Sequence, residues 1–312
     1  MSSGTSRLDQ LCTAIAELNP MQQNFLERSR KEIEPRELVD LERYIDHCIA
    51  GGVTLPELAA SYELIVADTL REQLHFKRHG RYRYSRYDEV AGSVYLSPEY
   101  MQRYMHGLAL TSFLWPNHAA MRRYFAEQLV LLAQQGIAGQ AVEQGGRYLE
   151  IGPGHGFYFM TALRQAVFSD CHGVDISPTS VALTRALLAG GTFGSFNHWS
   201  VEERDFLAAD VSGPYAMVTM GEVLEHVEDP LRFLRRAGEV CDPAGRVFIT
   251  SCINSPALDH IYLFRSMDEV RDLVANAGLT VKSELVLPYT GTTLEESASA
   301  KLPVNFAMVL TH

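Results

Sequence analysis

The chain of 312 residues is poor in several things that would announce a function. Its five cysteines, Cys12, Cys48, Cys171, Cys241 and Cys252, are scattered and form no C-x-x-C pair. Free thiols in a reducing cytoplasm are the expectation, and cytoplasmic is the predicted location. No apolar run approaches the roughly 18 residues of a membrane span. The opening Met-Ser-Ser-Gly-Thr-Ser-Arg has no apolar core, so it does not read as a secretory signal. No lysine lies between Arg147 and Lys282, which removes the P-loop pattern from the glycine-rich region. There is no internal repeat and no low-complexity linker. Net charge is −11, and the excess acid lies almost wholly beyond residue 125. An acidic C-terminal part lacks the basic footprint that nucleic acids require, so neither nucleic acid nor membrane is an expected partner.

What is present is a strand-turn-helix passage, Tyr148-Leu-Glu-Ile-Gly-Pro-Gly-His-Gly-Phe157. Glycines at alternate positions, Gly152, Gly154 and Gly156, let the chain turn off a strand and let a ligand approach the backbone without meeting a Cβ. A helix N-terminus from Phe157 then faces that ligand. Glu150 sits two residues before the first glycine. In the dinucleotide fingerprint G-x-G-x-x-G the third glycine would fall at position 157, which is Phe157.

The pattern E-x-G-x-G-x-G resembles the first motif of class I S-adenosylmethionine (SAM) dependent methyltransferases. Later landmarks extend the likeness. Val174-Asp175-Ile176 ends a short apolar segment, and Asp175 is placed to accept both ribose hydroxyls. Glu203-Arg-Asp-Phe206 puts Asp205 at the adenine amino group, with Phe206 beside the ring. Tyr215 to Met220 reads as a buried strand leading into Gly-Glu-Val-Leu-Glu-His-Val-Glu-Asp-Pro230, as in ubiquinone-biosynthesis O-methyltransferases. The resemblance covers roughly residues 120–312. It implies SAM as cofactor, held by Glu150, Gly152, Gly154, Gly156, Asp175, Ile176, Asp205, Phe206, Met220 and His118, with His155 a minor contact.

The N-terminal third reads as helices. Leu8, Leu11, Ile15 and Leu18 repeat at helical spacing, as do Leu38, Leu41, Tyr44, Ile45 and Cys48. Thr54-Leu-Pro-Glu57 is a helix start with a capping-box offset. Ser97-Pro-Glu starts another, interrupted at Trp115-Pro-Asn-His118, before a long helix from about Ala119 to Gln135. From Arg147 strands alternate with helices. The predicted fold is therefore α/β: a Rossmann-like, doubly wound, mostly parallel seven-stranded sheet (120–312) with an all-helical N-terminal domain (1–119) packed on it. That domain is expected to cap the substrate site or to form a homodimer.

Candidate chemistry follows from side-chain type. Glu222, Glu225 and His226, at i, i+3 and i+4, would share a face on a helical turn. Such a trio serves as a metal site in small-RNA 2′-O-methyltransferases, but one turn supplies too few ligands, and no metal is expected. His226, His260 and Glu222 are the candidate catalytic groups, with Asp259 or Asn254 placed to orient His260. The basic, aromatic stretch from His75 to Tyr87 reads as a lid or connecting loop. Tyr82, Tyr84, Tyr104, Trp115 and Tyr262 are candidate substrate contacts. The reading is a SAM-dependent methyltransferase acting on a small molecule by O-, N- or C-methylation, with secondary metabolism as the expected setting. Two alternatives stay open: a SAM-consuming cyclase or aminobutyryl transferase of the azetidine-carboxylate synthase type, and a non-catalytic SAM-binding partner protein.

Overall fold

The computed structural model describes residues 5–135, 145–165, 167–208 and 210–312. Seven helices come first: α1 (Arg7–Leu18), α2 (Gln23–Glu32), α3 (Pro35–Ala50), α4 (Leu55–His79), α5 (Tyr87–Ala91), α6 (Pro98–Leu114) and α7 (Pro116–Gln135). The alternating part follows as β1 (Gly146–Ile151), α8 (Phe157–Gln165), β2 (Phe168–Asp175), α9 (Pro178–Ala189), β3 (Trp199–Glu203), β4 (Tyr215–Gly221), α10 (Pro230–Val240), β5 (Cys241–Ile253), α11 (Met267–Asn276), β6 (Thr280–Leu287), α12 (Leu294–Ser299) and β7 (Val304–Thr311).

The strands form one seven-stranded sheet in the order β3-β2-β1-β4-β5-β7-β6. β1 pairs in parallel with β2 and β4, and β7 runs antiparallel between β5 and β6. The order reverses between β1 and β4, which opens a crevice beyond their C-terminal ends. Gly152 and Glu222 follow those two strands directly. Among the described residues, no single helix is long and apolar enough to cross a membrane.

Local chemistry sets the helical layer. Thr54 and Glu57 form the capping box of α4, and Gly80 closes the helix in the left-handed conformation, φ 65°. α4 therefore runs on to His79 and absorbs the first part of the basic stretch that the sequence reads as loop or lid. α6 is buried along most of its length and crosses α4 closely. A Cβ on Gly107 would lie 2.3 Å from the Ser61 carbonyl, so only glycine permits that crossing. A buried ion pair, Arg122 Nη2 to Glu37 Oε1 at 2.8 Å, ties α7 to α3.

One apolar core runs continuously from Leu8, Leu41 and Phe113 of the helices to Phe157, Phe248 and Val309 of the sheet part. A second core fills the opposite sheet face, around Val218, Ile249, Leu234 and Val270. A third, smaller one joins Ile65, Val90, Met101, Tyr104 and Met105 to Ile261, and it sits beside the crevice.

Candidate active site

A cavity of about 480 Å³ occupies the crevice, walled by the strand tips on one side and by α4, α5, α6 and α7 on the other. Gly152 and Gly154 line it with φ of 67° and 54°. A Cβ on Gly154 would come within 3.3 Å of Met105 Sδ from α6, so the glycine loop and the helical layer touch. Gly156 faces away, where a Cβ would meet Leu187 and Thr184 at 3.1 Å. Met220 also misses the cavity; its side chain lies in the core, and Gly221 lines the cavity instead.

Asp175 ends β2 with its carboxylate buried at the cavity wall. Oδ2 accepts from Gly154 N at 3.2 Å and Oδ1 from Ser177 N at 2.9 Å. Each oxygen keeps a further lone pair. Burial raises its pKa to about 6, and the two backbone N–H groups oppose that rise. Glu150 is deeper: Tyr148 Oη donates to it at 2.5 Å, and burial raises its pKa to about 8. Asp205, Phe206 and Ile176 line the adjoining wall, with Phe206 packed on Phe233 at 5.9 Å. His118 and Trp115 enter from the start of α7, their rings 5.0 Å apart. His118 Nδ1 bonds Thr111 Oγ1 at 3.1 Å. His155 also lines the cavity, with its pKa lowered to about 3 by burial.

Glu222, Glu225 and His226 do not share a helical face. Glu222 leaves β4 with φ 52°, and only Leu224–His226 form a short 3₁₀ turn. The Glu222 and Glu225 carboxyls nonetheless lie close together, with Cys252 beside them, and Glu225 also comes close to His226 and His260. Glu225 is fully buried beneath the cavity, accepting from Ser251 Oγ at 2.8 Å, and burial followed by the Glu222 charge pushes its pKa well up. His226 points to α6 and the segment before it. Its Nδ1 lies 3.1 Å from the Asp259 carbonyl oxygen, 3.0 Å from Tyr95 Oη and 3.4 Å from Asp259 Oδ2. Asp259, itself buried, accepts from Tyr104 Oη at 3.0 Å and Tyr95 Oη at 3.3 Å.

Asp259 therefore attends His226, not His260 as the sequence spacing suggests. His260 Nδ1 instead bonds the Ser255 carbonyl at 2.6 Å, and burial, with the His226 ring next, lowers its pKa to about 4. The His226 and His260 rings stand 4.8 Å apart, a proximity that the sequence does not reveal. Three expected substrate contacts are not on the cavity. Tyr82 is buried between Phe76 and His260, Tyr84 packs on the small core of Ile65 and Val90, and Tyr262 lies against Phe264. Tyr104 and Trp115 do line it, joined by Tyr87 of the basic, aromatic stretch and by Tyr95 and Asp68, which the sequence did not mark individually. Tyr87 and Tyr95 stack at 5.6 Å, and Tyr100 stacks on Tyr104 at 5.7 Å while its hydroxyl donates to Asp68 at 2.5 Å. Their signal was the density of tyrosine between positions 82 and 104.

A sheet in this order, with a glycine loop after β1 and an acid at the tip of β2, defines the class I SAM-dependent methyltransferases. A family model described as a methyltransferase domain matches residues 118–297, and the chain belongs to that family. Ubiquinone biosynthesis O-methyltransferases are among its curated relatives. That of Bordetella avium is 34% identical over 114 residues, 36% of this chain and 45% of the relative. That of Xanthomonas axonopodis pv. citri is 31% identical over 114 residues, 36% and 46% of the two chains. The chain thus spans about half the length of the curated relatives it matches. The solved structure of mitomycin 7-O-methyltransferase matches with a TM-score of 0.50 at 16% identity, over 83% of this chain and 70% of that one. At that identity it shows a shared fold and nothing finer.

Proposed function

We propose that this chain methylates a small-molecule acceptor, using SAM as donor, inside the cavity between the helical layer and the strand tips. The observation that carries the reading is that one enclosed space joins two sets of residues. Gly152, Gly154, Asp175 and Phe206 suit a nucleoside cofactor, and Tyr95, Tyr104, Asp259 and His226 suit an acceptor with a removable proton. A two-domain division near residue 119, with the helices as cap, fits this arrangement. The walls come from a single chain, so a homodimer is not needed to complete them. The five cysteines are all unpaired, in keeping with a reducing cytoplasmic setting.

The residues fit the cofactor. Asp175 offers two acceptor lone pairs to the ribose, Phe206 an apolar face and Asp205 an acceptor at the adenine end, and the glycine loop is open to backbone approach. When bound, SAM supplies a methyl carbon made electrophilic by its sulfonium. The protein's part is alignment, removal of water and proton acceptance. The Asp259 carbonyl can only accept, so it holds the proton of His226 on Nδ1 and leaves Nε2 free as base. The Asp259 carboxylate then steadies the charge that His226 gains. His260, held by Ser255 with a lowered pKa, is a poor base at neutral pH and serves to position the loop.

The test is incubation with methyl-labelled SAM and a panel of phenols, amines and carboxylic acids, followed by product identification. Label in an acceptor supports the proposal. Consumption of SAM without any acceptor, yielding methylthioadenosine or a cyclised aminobutyrate, overturns it in favour of the cyclase alternative.

A further inference from the structure

The charge on the cavity wall is one-sided. Among the described residues, the wall carries Arg122 and Arg204 as its side chains of fixed positive charge. Both are matched by acids that do not line the cavity: Arg122 Nη2 meets Glu37 at 2.8 Å, and Arg204 Nη2 meets Glu202 at 3.0 Å. Burial lowers the pKa of His118, of His155 to about 3 and of His260 to about 4, so these rings are neutral at neutral pH. His226 faces the Asp259 carboxylate. An anionic acceptor would therefore find no uncommitted countercharge on this wall.

Two carboxylates stand apart from those of the sheet tips. Asp68 belongs to α4, and Asp259 follows β5; both are buried and both line the cavity. The stacked pair Tyr100 and Tyr104 joins them, Tyr100 Oη donating to Asp68 at 2.5 Å and Tyr104 Oη to Asp259 at 3.0 Å. α6 shows where this group sits. Met105 touches the glycine loop, whereas Tyr100 lies more than one turn earlier on the same helix, roughly 7 Å back along its axis. Asp68 is thus displaced from the glycine loop, towards the end where His226 stands. Its other hydrogen-bond donor, Arg71, comes from a side chain more than half exposed, where water screens the charge. Each Asp68 oxygen keeps a further lone pair. The neighbouring faces are aromatic: Tyr87 stacked on Tyr95, with Tyr104 and Trp115 beside them. Burial raises the pKa of Tyr95 and Tyr104 well above the usual value, so they present neutral π-faces. Carboxylates among π-faces, in a space of one sign of charge, attract a cation.

Resting on the methyltransferase reading above, we propose that the acceptor is cationic: its ammonium group is bound by Asp68 and the tyrosine faces, while a separate O–H or N–H, the one methylated, faces His226. The ammonium group takes no part in the transfer and supplies affinity and orientation. Asp68 is then a residue that determines specificity for the acceptor and leaves the cofactor alone.

The experiment is calorimetric titration of the S-adenosylhomocysteine complex with three phenols of matched shape: tyramine, which carries an ammonium, the neutral 4-propylphenol, and the anionic 3-(4-hydroxyphenyl)propionate. Tyramine should bind about tenfold or more tighter than either of the others, as for a hydrogen bond between charged groups. Asp68→Asn should lose that preference and keep the wild-type affinity for S-adenosylhomocysteine. Equal affinities, a preference for the neutral or anionic phenol, or no binding of tyramine by the wild type overturns the proposal without recourse to any variant. A preference that survives in Asp68→Asn overturns the role of Asp68. Failure of the wild type to bind S-adenosylhomocysteine at all would instead sink the SAM reading on which the proposal stands.

Discussion

Asp259 holds His226 by two different atoms: its backbone carbonyl lies 3.1 Å from Nδ1 and its carboxylate oxygen 3.4 Å from the same nitrogen. A carbonyl can only accept, so it favours the proton on Nδ1. His226→Ala should therefore lower kcat by about 10²–10⁴, the usual contribution of a positioned base. S-adenosylhomocysteine affinity should be unchanged. Asp259→Asn should lie between the wild type and that variant, because the carbonyl contact survives. A kcat within twofold of the wild type for His226→Ala, with an acceptor that is protonated at the assay pH, would remove His226 from the mechanism.

Asp175 braces the glycine loop as well as facing the cavity, because Gly154 N donates to it at 3.2 Å. Asp175→Ala should weaken S-adenosylhomocysteine binding by about 1.5–3 kcal/mol, the range for hydrogen bonds to a charged group. It should also lower the melting temperature of the ligand-free protein, since the Gly154 and Ser177 N–H groups lose their acceptor. Unchanged affinity by calorimetry would exclude Asp175 from the ribose site.

The pattern of local signals explains what could be read before the fold was seen. Gly152, Gly154 and Asp175 border the cavity because the turn after β1 and the tip of β2 are local features that a motif can mark, whereas Gly156 of the same motif faces α9. The doubly wound sheet and the helical layer followed from the alternation of strands with helices and from helical periodicity. Glu222, Glu225 and His226 misled as a helical trio because their spacing presumes a helix: Glu222 leaves β4 with φ 52°, and only Leu224–His226 form a short turn, although the Glu222 and Glu225 carboxyls still come close together. Asp259 lies next to His260 in sequence but binds His226, which is 33 residues away. Tyr95 and Tyr104 reach that same carboxylate from residues 164 and 155 positions away. No local pattern encodes contacts of such separation; they depend on how α6 lies across the strand tips.

Glu150 makes a pH-dependent contribution to stability with a definite sign. Its folded-state pKa is raised to about 8 from an ordinary 4.5. A carboxyl so raised binds its proton more tightly in the folded protein, so its contribution is present below pH 4.5 and is lost as pH rises towards 8. Glu150→Gln removes the effect. The melting temperature of Glu150→Gln relative to the wild type should accordingly increase from pH 5 to pH 8, as followed by circular dichroism. A difference that is flat or falls over that interval would contradict the raised pKa.

Turnover should not need an added metal. The structure does bring His260 to Glu225 and His226, with candidate ligand atoms within 4.8 Å of one another, so the expectation no longer rests on too few ligands. It rests on their state. Burial pushes the Glu225 pKa well up and so disfavours the charged form a cation needs, Ser251 donates to one of its oxygens, and both histidines have Nδ1 engaged by carbonyls. A cation would have to overcome that burial and break the Ser251 bond. Activity should persist after dialysis against EDTA. Loss of turnover restored by Mg²⁺, Mn²⁺ or Zn²⁺ would make this cluster a metal centre.

The helical layer should govern the acceptor and leave the cofactor alone. Tyr95 and Tyr104 reach from α6 and the segment before it to the Asp259 carboxylate, whereas Asp175 and Phe206 belong wholly to the sheet part. Replacing Tyr104 by Phe deletes one of the donors to a buried carboxylate and leaves the ring stack on Tyr100 in place. The Asp259 side chain then gains freedom, and His226 loses part of its support. Tyr104→Phe should therefore reduce kcat/KM for the acceptor by about tenfold, in line with the loss of a hydrogen bond to a charged group. Tyr95→Phe should do at least as much, because Tyr95 Oη also touches His226 at 3.0 Å. Both variants should bind S-adenosylhomocysteine as the wild type does. If turnover instead persists while light scattering shows a change in assembly state, these tyrosines serve a subunit interface, and the acceptor wall must lie elsewhere.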